Sequence, residues 1–287
     1  MRYEAPETLD AAVALLAGAA GDARVLAGGT DLLVQLKTDL IEPQVVVDIK
    51  RIGELRQIKQ DGNGSFTIGA AVTGAELKEH FDLKKAWPGV VEAANLIGST
   101  QVQSRATMGG NLCNASPAAD SVPALIAAGA KAVVAGPGGR REVPVEDVVL
   151  APRRLSLAQG EFVVAFLLPP RGSHAADAYL RFIPRTEMDI AVVGAGVSLT
   201  LDDAGTVTAA RVGLGAVAAR PLVVPEAAHA LVGSTLGDDA LGKFEDAVRA
   251  ACKPIDDKRG TREFRIKVAA VMARRAALKA YERARAR

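Results

Sequence analysis

Apolar residues recur along this chain with a helical period in some stretches and in alternation or short unbroken runs in others, and the changes of period delimit the elements. Between Thr8 and Ala20, Leu9, Val13, Leu15 and Leu16 stand among alanines behind a threonine suited to capping, so a helix is predicted there. Arg24-Val25-Leu26-Ala27 reads as a short apolar strand, Gly28-Gly29-Thr30-Asp31 as a glycine turn, and Leu32 to Leu36 as the start of another helix. A buried strand follows at Val45 to Ile49, entered through Pro43, and completes a small α/β lobe. Alternation on both sides of Asp61-Gly62-Asn63-Gly64, over 56–60 and 65–69, predicts a hairpin that opens a second lobe.

Helices are predicted over 74–80 and 83–96, then a polar, glycine-rich connector from Gly98 to Asp120 without regular structure, then a helix over 121–129. A strand at Ala132 to Ala135 is turned back by Pro137-Gly138-Gly139. The pattern breaks at Pro169-Pro170-Arg171-Gly172, the expected linker. A third unit opens with strands around 179–183 and 190–201, turns at Asp202-Asp203-Ala204-Gly205, continues as a strand at 206–214 and closes in helices after Pro225. No fixed-period repeat is present.

Composition narrows the function classes. A hydrophobic content of 49 % excludes a disordered chain, and no apolar run approaches the ~18 residues that span a bilayer. Arg2, Glu4, Glu7 and Asp10 spoil any signal peptide at the amino end, so a cytoplasmic protein is expected. Cys113 and Cys252 lie too far apart for a CxxC pair and are too few to ligate an iron–sulfur cluster, so any such cluster must belong to a partner. The net charge of +2 hides an asymmetry: residues 262–287 hold nine Lys/Arg against two Asp/Glu. Phe264, Val268, Val271, Met272 and Leu278 recur there at helical spacing, which predicts an amphipathic helix whose cationic face is either solvated or a docking element. With 4 % aromatic residues and no aromatic interleaving, nucleic acid is a poor partner.

Two glycine loops carry the candidate chemistry. In the first, Leu26-Ala27-Gly28-Gly29-Thr30-Asp31, several amides at a helix start lack helical partners and favour an anion. The two glycines permit positive φ and let a phosphate approach the backbone, although a Gly-Gly turn entering a helix is ordinarily only a turn. The second loop, Ala106 to Pro117, sets Thr107, Asn111, Asn114 and Ser116 beside Gly109 and Gly110, and its length points to function. Asp120, just before a predicted helix, suits either a cap or acceptance from a ligand hydroxyl. Two such loops in adjacent lobes fit a ligand with two phosphates and a long body, a dinucleotide.

Other signals fail. Gly213-Leu214-Gly215-Ala216-Val217-Ala218 matches GxGxxA, but Pro221 arrives too soon for the helix a Rossmann unit needs. His80, His174 and His229 lack metal-type spacing and read as surface or capping residues, and no GxSxG is present.

The pair LAGGTDLL and SRATMGGNLCNASPAADSVPAL, with the later run Tyr179 to Ala191, resembles the flavoprotein subunit of the xanthine dehydrogenase, carbon monoxide dehydrogenase and hydroxybenzoyl-CoA reductase group over essentially the whole chain. The resemblance implies an α+β chain: a two-lobed FAD-binding domain of the vanillyl-alcohol-oxidase type over 1–172, with lobes of about 1–55 and 56–172, and a smaller α+β domain over 173–287. By matching motif positions it implies that Val25, Leu26, Ala27, Gly28, Gly29, Thr30, Asp31 and Leu32 wrap the FAD pyrophosphate, while Thr107, Gly109, Gly110 and Asn111 close over the other side. Asp120 would bind a hydroxyl of the sugar or ribityl chain, Ile97 and Val163 would pack on apolar surfaces of the cofactor, and Arg181 and Ile190 would approach the flavin ring.

In such complexes a large subunit holds the molybdenum cofactor and a small subunit holds [2Fe–2S] clusters that feed this FAD, and a dimer of heterotrimers is expected. Two departures stand out. Carbon monoxide dehydrogenases often place His where this chain has Thr30, and hydroxybenzoyl-CoA reductases carry an inserted loop whose extra cysteines this chain lacks. A stand-alone flavin oxidase of the same fold and a scaffold that has lost its flavin remain the rival readings.

Overall fold

The computed structural model describes all residues from Met1 to Arg287. The chain begins with β1 (Arg2–Glu4), α1 (Leu9–Ala17), β2 (Ala23–Leu26), α2 (Leu32–Lys37) and β3 (Val45–Asp48). Thr8 caps α1 by accepting from the Ala11 amide at 3.3 Å. Both β1 and β2 pair with β3 in parallel, and the Leu26↔Asp48 register sets the glycine turn level with the end of β3.

A second set comprises β4 (Ile58–Gln60), β5 (Phe66–Gly69), α3 (Gly74–Glu79), α4 (Phe81–Ala86), α5 (Pro88–Ala94), α6 (Thr100–Gln103), α7 (Met108–Cys113), α8 (Ser121–Ala127), β6 (Lys131–Gly136), β7 (Gly139–Pro144), the small pair β8 (Val149–Ala151) and β9 (Arg154–Leu155), and β10 (Phe162–Leu168). Its antiparallel sheet runs β4-β5-β10-β6-β7, with β10 in the middle. Two expectations change here. The helix expected over 83–96 is broken at Trp87, because Pro88 has no amide to donate and holds the preceding residue at φ −125° and ψ 62°, outside the helical region. The connector over 98–120 is not irregular throughout: it carries α6 and α7, the latter capped by the Thr107 hydroxyl. Two glycines in the first turn of α7 erase the helical signal in the sequence.

The third set is β11 (Ala175–Phe182), β12 (Val193–Leu201), β13 (Val207–Gly215), β14 (Leu222–Val223), α9 (Pro225–Leu231), α10 (Asp238–Ala251) and α11 (Arg262–Arg285), with the antiparallel order β11-β12-β13-β14. β11 starts earlier than its pattern predicts because Ala175-Ala176-Asp177-Ala178 lacks strand-forming residues. Asp177 is nonetheless buried, paired with Arg171 at 2.8 Å and accepting from the Val90 amide. The glycines that mimic GxGxxA belong to packing, since a Cβ on Gly213 would lie 2.2 Å from the carbonyl oxygen of Pro123 in α8.

α11 is the long helix its pattern predicts, and it packs on β11 and β12 with Val268, Met272 and Leu278 of the predicted apolar set turned toward the core. Met272 is buried together with a row of alanines from Ala269 to Ala284, while Phe264 and Val271 stay exposed. Alanines let the helix axis approach a sheet that is itself rich in Gly and Ala. Part of its charge is spent inside the chain: Lys279 and Arg283 both pair with Glu92 on α5, and buried Arg265 pairs with Asp257 at 2.7 Å. The mixed helix and sheet architecture is the one expected, and no helix is long and apolar enough to cross a membrane.

Candidate functional site

A cavity of about 760 Å³, within the range of cofactor pockets, runs between the first two sets of elements. Its lining includes Val25, Ala27, Gly28, Gly29, Thr30, Asp31 and Leu32 from the first loop and Thr107, Gly109, Gly110 and Asn111 from the second, together with Ile97 and Val163. Four of the residues singled out in the sequence lie elsewhere. Leu26 is buried outside the lining, and Ile190 is 54 % exposed on the irregular stretch between β11 and β12. Asp120 and Arg181 pair with each other at 2.9 Å away from the lining.

The two loops touch, and the touch explains one glycine. A Cβ on Gly28 would lie 2.1 Å from the carbonyl oxygen of Arg105, so this position serves the close approach of two backbones. Of the two glycines in this turn, Gly29 uses the left-handed region, at φ +78°. Past this contact the amides of Gly28, Gly29, Thr30, Asp31 and Leu32 donate to no backbone or side-chain acceptor of the chain. On the opposite side the amides of Met108 and Gly109 at the start of α7 are likewise unpaired, whereas the Gly110 amide is taken by the Thr107 hydroxyl at 2.9 Å. The unpaired amides of Gly28 to Leu32 and of Gly109, all on residues that line the cavity, form a cradle for anionic oxygens. The residues present therefore fit a pyrophosphate-bearing cofactor.

Side chains fix this cradle. The Asn114 amide donates to the Asp31 carboxylate at 3.1 Å and accepts from Gln35 at 3.1 Å, which ties α2 to the end of α7. Asp31 can only accept, so it dictates which way the Asn114 amide points. Burial pushes the Asp31 carboxyl above the usual carboxylate range. The Asn111 carbonyl accepts from the amide and hydroxyl of Ser121 at 3.0 and 2.7 Å and so anchors α7 on α8. Gln35 had no signal in the sequence, because one glutamine on a helix reads as surface. Leu155, Leu157 and Phe162 also line the cavity and could have been suspected only from the position of β10 in the sheet. Cys113 lines it too, with its thiol pushed up to about 12 by burial, which makes it a packing group rather than a nucleophile.

Behind the wall that carries Ile97 lies a buried polar knot. Arg181 of β11 donates to the Leu96 carbonyl at 2.7 Å and to Asp120, which also accepts from the Tyr179 hydroxyl at 3.3 Å. Burial pushes the Asp120 carboxyl up to about 6 even though Arg181 and Tyr179 pull it down. This knot joins the third set of elements to the cavity wall. The Asp120 side chain makes no capping bond to α8.

Comparison with known proteins gives the family. Residues 1–171 match the FAD binding domain in molybdopterin dehydrogenase, and residues 178–280 match the CO dehydrogenase flavoprotein C-terminal domain. The chain is 35 % identical to the carbon monoxide dehydrogenase medium chain of Afipia carboxidovorans, over 99 % of this chain and 97 % of that one. It is 32 % identical to a putative xanthine dehydrogenase FAD-binding subunit of Escherichia coli, over 95 % and 93 %. A crystal structure of Cu,Mo-CO dehydrogenase superposes with a TM-score of 0.94 at 35 % identity, covering 99 % of this chain and 98 % of that one. With both parts of the chain matched and the free amides of its two loops arranged for a dinucleotide, this protein belongs to the FAD-binding medium subunits of the molybdopterin dehydrogenase family.

Proposed function

We propose that the chain binds one FAD non-covalently between its two glycine loops, receives electrons from [2Fe–2S] clusters of a small partner subunit and passes them to an external acceptor. The carrying observation is the set of unpaired amides on cavity-lining residues, five from Gly28 to Leu32 and one at Gly109. FAD supplies the redox chemistry, exchanging electrons singly with a cluster and in pairs with an acceptor. The protein's part is to bind and orient. The amides of the loops hold the pyrophosphate, Asn111 and Thr107 fix α7 against it, and Ile97 and Val163 pack on apolar parts of the cofactor. Asp120 and Arg181 brace the wall behind Ile97, and the exposed Ile190 would approach the ring. We divide the chain into an FAD domain over 1–172, with lobes of about 1–55 and 56–172, and a C-terminal domain over 173–287.

The organic substrate is then oxidised at a molybdenum cofactor in a large subunit, within a cytoplasmic dimer of heterotrimers. Relatives named as medium chains or FAD-binding subunits of carbon monoxide and xanthine dehydrogenases support this reading. The isolated, FAD-loaded chain mixed anaerobically with candidate substrates should keep its flavin absorbance, and the reconstituted complex should bleach it. Bleaching in the isolated chain would overturn the subunit reading in favour of a stand-alone oxidase. A chain that stays colourless after incubation with FAD would overturn both.

A further inference from the structure

Lys50 lies outside the cavity lining, yet it is fixed against the back of the first loop. Its ammonium sits 2.8 Å from each carboxylate oxygen of Asp48 and donates to the Ala27 carbonyl at 3.1 Å. Asp48 is itself buried, takes the Lys50 amide at 3.0 Å and accepts from the Tyr3 hydroxyl at 2.7 Å. An ammonium has three donors, and here all its contacts are within the chain, so the lysine is held in one conformation. The Leu26↔Asp48 register of the parallel pair puts this group directly under the glycine turn.

The consequence follows from peptide geometry. A trans peptide is planar, and its carbonyl and the following amide point to opposite sides. With the Ala27 oxygen drawn back to Lys50, the Gly28 N–H is directed away from Lys50, and Gly28 is a lining residue while Lys50 is not. We infer that Lys50, anchored by Asp48, is a positioning residue that sets the direction of the Gly28 amide toward a pyrophosphate oxygen of FAD. The inference rests on the proposed FAD site. Without this contact the Ala27–Gly28 peptide is free to rotate, and the first of the five amides loses its aim.

The test uses the full chain, stripped of flavin and retitrated with FAD, in wild type, Lys50→Met, Asp48→Asn/Lys50→Met and Lys50→Arg. The double variant removes the pair together and so avoids a buried unpaired carboxylate that could unfold the chain. The expected result is about tenfold weaker FAD binding in both Met variants, the size of one amide contact to a charged oxygen. The phosphorus NMR resonances of bound FAD should shift while the visible flavin spectrum stays unchanged, and Lys50→Arg should restore both affinity and shift. Weaker binding with unshifted phosphorus resonances would assign Lys50 a merely structural role and overturn the inference, as would wild-type affinity in both Met variants. Failure of the wild type to bind FAD would instead remove the reading on which it rests.

Discussion

Replacing Gly28 with alanine adds one methyl group at the point where the two loops meet. Its Cβ would lie 2.1 Å from the Arg105 carbonyl oxygen, 2.8 Å from the Arg105 carbonyl carbon and 3.2 Å from the Ala106 Cα, whereas ordinary contact begins at 3.4 Å. All three neighbours are backbone, so no rotamer change relieves the clash and the loops must separate. Overpacking of this kind costs about 1–3 kcal/mol, and the rigid neighbour places Gly28→Ala near the upper end. An amide displaced by an ångström from a phosphate oxygen is no longer within hydrogen-bonding distance. Each such contact contributes about 1.5–3 kcal/mol, so losing even two lowers FAD affinity by at least ~100-fold. Gly53→Ala is the control: nothing lies within 4 Å of its Cβ, and it should leave stability unchanged or slightly raised. Urea unfolding midpoints and flavin content after gel filtration read both effects. A Gly28→Ala chain with full FAD content and a wild-type midpoint would refute the account of the loop contact.

Two further outcomes follow from the site. In Gly110→Val the new Cβ meets only the Thr107 hydroxyl, at 3.2 Å, and valine is a better helix former than glycine, so a folded protein within about 1 kcal/mol of wild-type stability but depleted in flavin is expected; full occupancy would show that Gly110 does not face the cofactor. Because burial raises the Asp120 carboxyl from 3.8 to about 6, the folded chain keeps a proton that the unfolded chain releases, and this contribution to stability is complete below about pH 4 and lost as the pH rises through about 6. The stability of Asp120→Asn relative to wild type should therefore climb by roughly 2 kcal/mol between pH 4 and pH 7 in urea titrations, and a flat difference would contradict the shift.

What was legible in the sequence follows from what each kind of residue signals. Strand, glycine turn and helix over 24–36 could be read because Val25, Leu26 and the leucines of α2 flank a pair of glycines that only a turn accommodates. α7 could not be read, since Gly109 and Gly110 lie in its first turn without breaking it, Gly109 for close packing on Ala70. The buried face of α11 was legible only in part. Its larger apolar side chains carry the periodic signal, but the alanines make the closest contact with the sheet. Long-range polar contacts left the least trace. Nothing in the order of residues joins Asn114 to Gln35 and Asp31, or Arg181 to Asp120, because these pairs form only when separate elements have packed.

These contacts bear on why the cofactor and the fold belong together. The first-loop elements meet the second set through a shared apolar core that joins Leu16, Val47 and Ile49 to Ala135, Phe162 and Val164, and at the cavity mouth through the Gly28 contact and the Asn114 relay, whose hydrogen bonds are each worth about 1 kcal/mol. A ligand present at a thousand times its dissociation constant stabilises the folded state by about 4 kcal/mol, more than the relay supplies. FAD bound between both loops would add to the tie at the cavity mouth, so the apo protein should unfold at a lower urea concentration than the FAD-loaded chain. A scaffold that had lost its flavin would gain by closing the cavity mouth with side chains and by pairing its amides. Here the opposite arrangement is kept: seven amides remain free of intramolecular partners, and Lys50, Asn114 and Asn111 each hold the backbone that presents them. A chain that sustains such an arrangement is built around its ligand.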